Sequence, residues 1–97
     1  RKHPVSRMLR DDFVALNVAS VAYGMLYTSA LAYQEEEVAA IALSHLNALP
    51  SQLTELGRLI PEAVVKELTE EYPQANISAI DTARKAIDAA WMDASMA

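Results

Sequence analysis

Apolar positions along the chain recur with a helical period, and charged positions punctuate them. From Phe13 to Tyr33 there are 21 residues and no charge. Leu16, Tyr23, Tyr27 and Leu31 fall close to one face of a helix within that run, and Val14, Val18, Val21 and Met25 form a second apolar face. The spacing predicts one long helix over residues 6–33, with Ser6 as its cap just after Pro4. A helix that is apolar around most of its circumference belongs in a core or between subunits.

The next stretch, Gln34 to Leu49, predicts a second helix. Glu35, Glu36 and Glu37 stand at its start, where negative charge suits the positive end of the helix dipole. Val38, Ile41, Ala42, His45, Leu46 and Leu49 supply its apolar stripe. Pro50 interrupts this pattern, and Ser51 to Leu59 reads as a separate piece with Leu53, Leu56 and Ile60 apolar and Gly57 inside it. Pro61 fits the first turn of a further helix that stops near Tyr72, ahead of Pro73. Residues 73–77 form the clearest loop. Ser78 and Asp81 have the spacing of a capping box. Ile80, Ala83, Ile87, Ala90, Trp91 and Ala94 then mark a last helix, with Arg84 and Asp88 spaced to pair on its outer side. No run alternates with period two, so no strand is predicted. The expectation is an all-α fold: a small antiparallel bundle of four to five helices with a long N-terminal helix, in one domain over residues 1–97. Residues 1–7 are expected to be a basic flexible arm. The sequence opens on Arg1 and not on Met, which fits a fragment of a longer chain.

Composition narrows the function more than it changes the fold. Of 97 residues, 53% are hydrophobic and 18 are alanine, so much of the apolar content is small. A chain of this size buries only about 60–65% of its unfolded surface and has a marginal core. There is no cysteine, which removes disulfides, thiolate metal sites and cysteine nucleophiles. The net charge is -5, and four of the eight basic residues lie in residues 1–10. Between Arg10 and Arg58 no basic residue occurs, so no nucleic-acid partner is expected. About 20 apolar residues suffice to span a bilayer. Asn17, Ser20, Gly24, Thr28, Ser29 and the tyrosines dilute the apolar run, and the expectation is a cytoplasmic protein without a membrane partner.

The uncharged helix presents more apolar surface than short partners can cover, which predicts self-association as a homodimer. Leu16, Ser20, Tyr23, Gly24, Tyr27 and Leu31 are the expected interface, with Ser20 and Gly24 letting another helix approach closely. A protein partner at Leu53, Leu56, Ile60 and Val64 is a further expectation. The first functional expectation is therefore a non-catalytic helical interaction or structural protein.

Candidate chemistry is sparse. There are two histidines, and neither a phosphate-binding loop nor a nucleophile motif is present, so no catalytic residue and no cofactor are expected. A long helix rich in Ala and Tyr, a glutamate-rich start and an inward His45 resemble half of a ferritin-like bundle over residues 11–49. That resemblance implies metal ligation in the bundle, where Glu-x-x-His sets both ligands on one inward face. The chain departs from it at Ala42, which stands where the glutamate belongs, and Glu37 is more than two turns from His45. What the resemblance implies here is the alternative function: a ferritin-like metal-binding helical protein with a degenerate or subunit-shared site around His45.

Overall fold

The computed structural model describes residues 4–96, with side-chain surroundings as far as residue 92. Among the described residues the regular structure is three helices: α1 (Val5–Ala32), α2 (Glu36–Glu71) and α3 (Ala79–Met96). The all-α class stands, and the count of four to five helices is corrected to three. The difference lies in α2. It runs unbroken for 36 residues through both Pro50 and Pro61, where the pattern predicted separate pieces.

The reason is the packing of α2 on α1. On α1 a series of half-buried and buried positions, Ser6, Leu9, Phe13, Leu16, Ser20, Tyr23, Tyr27 and Ala30, runs at steps of three and four, with Val5, Ala19 and Gly24 half-buried beside it. On α2 the matching series is Ala39, Ala42, Leu46, Leu49, Leu53, Leu56, Ile60, Ala63 and Glu67. Both repeat every 3.5 residues, the period of a coiled-coil seam. The two helices run antiparallel: Ser6 meets Glu67, the Phe13 ring lies over Gly57, and Tyr23 meets His45. An interior proline costs about 3 kcal/mol because it deletes one ladder hydrogen bond and crowds the preceding turn. Burial of Leu46 and Leu49 before Pro50, and of Leu53 and Leu56 after it, offsets that cost. With α1 extending for about 42 Å alongside, the polypeptide has no reason to turn at either proline. Gly57 faces the Phe13 ring, where a Cβ would stand 3.4 Å from Cε2, an ordinary van der Waals contact.

The hairpin turn is short. Tyr33, Gln34 and Glu35 separate α1 from α2. Gln34 adopts φ of 60°. Its N–H donates to the Leu31 carbonyl at 3.1 Å, and the Glu35 N–H donates to the Ala30 carbonyl at 2.8 Å. This is the Schellman arrangement with glutamine where glycine is usual. Ala30, Ala39 and Ala42 are buried around the turn, and their small side chains let the helices close on each other there.

At the other end of the hairpin, α1 begins at Val5 with Pro4 as its flanking residue, so Ser6 lies inside the helix. Residues 5–7 of the expected arm are thus helical, and residues 1–3 lie outside the described ones. Ser6 still serves the helix end. Its backbone N–H donates to one oxygen of Glu67 at 2.8 Å, and its hydroxyl donates to the other at 2.6 Å. A carboxylate borrowed from α2 therefore satisfies a first-turn donor of α1 and favours the positive end of its dipole.

α3 packs beside α2 only, and α1 and α3 do not meet. Arg84 is the hinge of that contact: it donates through Nε to the Arg58 carbonyl at 2.9 Å and pairs with Glu62 at 3.1 Å. Asp88 pairs with Arg58 at 3.5 Å. The expected Arg84–Asp88 pair is thereby replaced by two pairs across the helix gap. The expected cap at Ser78 is also replaced, because its hydroxyl and N–H both donate to Oδ1 of Asn76. The apolar stripe of α3 gains little cover: Ile80 and Ala83 are half-buried, whereas Ile87 and Trp91 are exposed.

The result is one layer of helices with α2 in the middle. Its extents are 59 × 34 × 14 Å, and its radius of gyration is 17.6 Å, against about 12.5 Å for a compact chain of this length. The accessible area is 7552 Å², whereas a compact monomer of this mass exposes about 5,500 Å².

Two local features set stability here. Gln34→Gly removes the left-handed strain on a side chain and should raise unfolding stability by about 1 kcal/mol in urea titrations. Glu67→Gln should lower it by about 1–2 kcal/mol, and Ser6→Ala in the same background should then cost less than it does alone.

Candidate functional surface

The seam against α2 takes up most of the residues expected at a subunit interface. Leu16, Ser20, Tyr23 and Tyr27 are half-buried in it, Gly24 is half-buried but borders the open face, and among the described residues α1 packs against no other helix. Leu31 is exposed. The second apolar face of α1 is the bare one. Val14, Val18, Val21 and Met25 are 55–67% exposed, at steps of four, three and four residues. Arg7 precedes Val14 by seven residues and continues the same stripe. A shallow depression of about 530 Å³ lies along it, lined by Val21, Gly24, Met25, Thr28 and Ser29. A Cβ on Gly24 would meet nothing within 4 Å, so the backbone itself is open to an approaching surface.

Polar groups on α1 do little to wet this face. Thr28 donates its hydroxyl to the Gly24 carbonyl at 2.8 Å, and Asn17 donates to the Phe13 carbonyl at 3.0 Å. Both side chains fold back on their own helix and satisfy themselves there. The most apolar 18-residue window of α1 has a mean hydropathy of 1.4, and only 6% of it is buried. By length and composition α1 is able to cross a bilayer.

A second open groove, of about 520 Å³, follows one flank of the hairpin between Asp12, Ala15 and Leu16 of α1 and Gln52, Glu55, Leu56 and Leu59 of α2. The expected partner patch on α2 is divided by the packing. Leu53, Leu56 and Ile60 are half-buried in the seam, and Val64 is exposed. Trp91, on α3, is not brought to Tyr23, Tyr27 or Met25, because α3 does not reach α1.

His45 is exposed and stacks flat on Tyr23, with ring centroids 5.0 Å apart and planes 12° apart. Ala42, at the position where the ferritin-like pattern wants glutamate, is fully buried in the seam. Among the described residues no three His, Asp or Glu side chains come together as a metal site. Among them, too, no buried side-chain polar atom lacks a hydrogen-bond partner. The chemistry this arrangement offers is that of a surface: an uncharged apolar stripe, a small-residue opening at Gly24, and charged groups at its two ends.

The stripe was legible in the sequence as an apolar face, but its bareness was not. Leu16, Tyr23 and Tyr27 carry the larger side chains, and an internal partner claims them first. Comparison with protein families, with curated proteins and with solved structures finds no match.

The Tyr23–His45 stack joins the middle of the hairpin. A double-mutant cycle with Tyr23→Ala and His45→Ala should give a coupling of about 0.5–1.5 kcal/mol in urea unfolding. A coupling near zero would reduce the stack to a coincidence of packing.

Proposed function

We propose that this chain is a non-catalytic helical interaction protein that associates with a second copy of itself through the outer face of α1. The observation that carries this is the bare stripe of Val14, Val18, Val21 and Met25, without a charge between them. Soluble monomers seldom leave a continuous apolar surface of this kind open, and such surfaces mark association sites. The surplus of area argues the same way. The chain exposes about 2,000 Å² more than a compact monomer would, and a standard interface buries about 800 Å² per partner. A two-fold homodimer is the smallest closed solution, since it uses one surface twice. The acidic composition supports an aqueous, cytoplasmic setting.

A bilayer is the second occupant to consider, and the low burial of α1 together with its hydropathy favours it. Against it stand Asn17, Ser20, Thr28 and Ser29 within the same helix. The metal-binding alternative has no supporting observation, since His45 stands with Tyr23 and not among carboxylates.

Light scattering on the purified chain at micromolar concentration should report a dimer. Val18→Asp should give a monomer that keeps its helical circular-dichroism signal, with the dissociation constant raised at least about 100-fold, because an unpaired charge would be desolvated in the contact. A monomeric wild type that floats with lipid vesicles would replace this reading with the bilayer.

A further inference from the structure

We propose that two copies pair α1 against α1 in antiparallel register, so that the basic first turn of each helix meets the acidic hairpin tip of the other. The proposal rests on the self-association reading above and adds orientation and electrostatic recognition to it.

The stripe is self-complementary when reversed. Its steps from Val14 through Val18 and Val21 to Met25 are four, three and four, the same in either direction. An antiparallel second copy therefore sets Val14 against Met25 and Val18 against Val21, and the two-fold axis repeats both pairs. A parallel copy would set each side chain against itself and align the two helix dipoles, which antiparallel packing opposes.

The charged groups beyond the stripe point the same way. Arg7 lies on the stripe seven residues before Val14; at the other end of α1, Glu35 closes the turn that follows Ala32, and Glu36 and Glu37 open α2. All four are exposed, and none forms an ion pair among the described residues. In antiparallel register Arg7 stands beside Ala32 of the second copy, the last residue of α1, with Glu35 in the turn that follows and Glu36 and Glu37 at the start of α2. In parallel register Arg7 would face Arg7, and the three glutamates would face their own copies. Of the two acidic groups at the Arg7 end, Asp11 is already paired with Arg10 at 2.9 Å, and Asp12 lines the groove toward α2 with Gln52 and Glu55. Opposite charges are thus placed at opposite ends of one apolar face. This arrangement favours the reversed partner and disfavours the parallel one.

The chain contains no cysteine, so introduced thiols report cleanly. Val14→Cys and Met25→Cys are oxidised separately and as an equal mixture of the two full chains. The expected result is a covalent dimer from the mixture and little from either variant alone, since like positions lie about 16 Å apart along the axis. The double variant Glu36→Lys with Glu37→Lys should raise the dissociation constant about tenfold at low salt, with the difference shrinking near 1 M salt. Cross-linking of either cysteine variant with itself overturns the antiparallel register. A dimer by light scattering that fails to cross-link in the mixture places the contact elsewhere and overturns it too. Charge variants that dimerise like the wild type overturn the electrostatic part. A monomeric wild type is the distinct failure of the self-association reading itself.

Discussion

A single seam organises this molecule. Two helices with apolar residues every 3.5 positions must keep those residues in register along their length. Once Leu9, Phe13, Leu16 and Tyr23 of α1 are docked on α2, each turn of α2 is held by the turn opposite. Two prolines, each sufficient to end an isolated helix, are absorbed for that reason. Gly57 is absorbed as well, lying against the Phe13 ring within the seam. The two ends of the seam are closed by different means. At the turn, buried alanines and the left-handed Gln34 draw the helices together. At the opposite end, Glu67 ties α2 to the first turn of α1.

The same constraint limits what the fold can bury. A seam uses one side of each helix, and among the described residues one further helix, α3, is present. α3 spends itself on a largely polar contact with α2 through Arg84, Arg58, Glu62 and Asp88. No element is left to lie across the layer, so the far side of α1 stays open. Among the described residues Ala42 is buried in the seam and His45 is stacked on Tyr23 at its edge.

The apolar faces of α1 illustrate how sequence and packing divide the work. Both faces were visible as periodicity, because periodicity depends only on residue type and on 3.6 residues per turn. Which face an internal partner takes depends on that partner. The Leu16, Tyr23 and Tyr27 face matches the leucines of α2 in length and register, and it is covered. The smaller Val14, Val18, Val21 and Met25 face is left over. The ferritin-like resemblance failed to gather a ligand set for a related reason. It rested on the order of residue types along two helices, and the seam turns Ala42 inward while His45 falls at the rim.

Sequence by itself determined the all-helical class, the long first helix with its uncharged run from Phe13, the loop after Tyr72 and the concentration of basic charge at the start. These are local properties, set by propensity, period and turn chemistry. Tertiary structure alone decided that residues 36–71 form one helix, that Arg84 and Asp88 pair across to α2, and that one apolar face of α1 remains bare. Each of these depends on a free-energy balance between distant segments: burial against the cost of proline, or an ion pair across a gap against one within a turn. No local window of sequence contains both sides of such a balance.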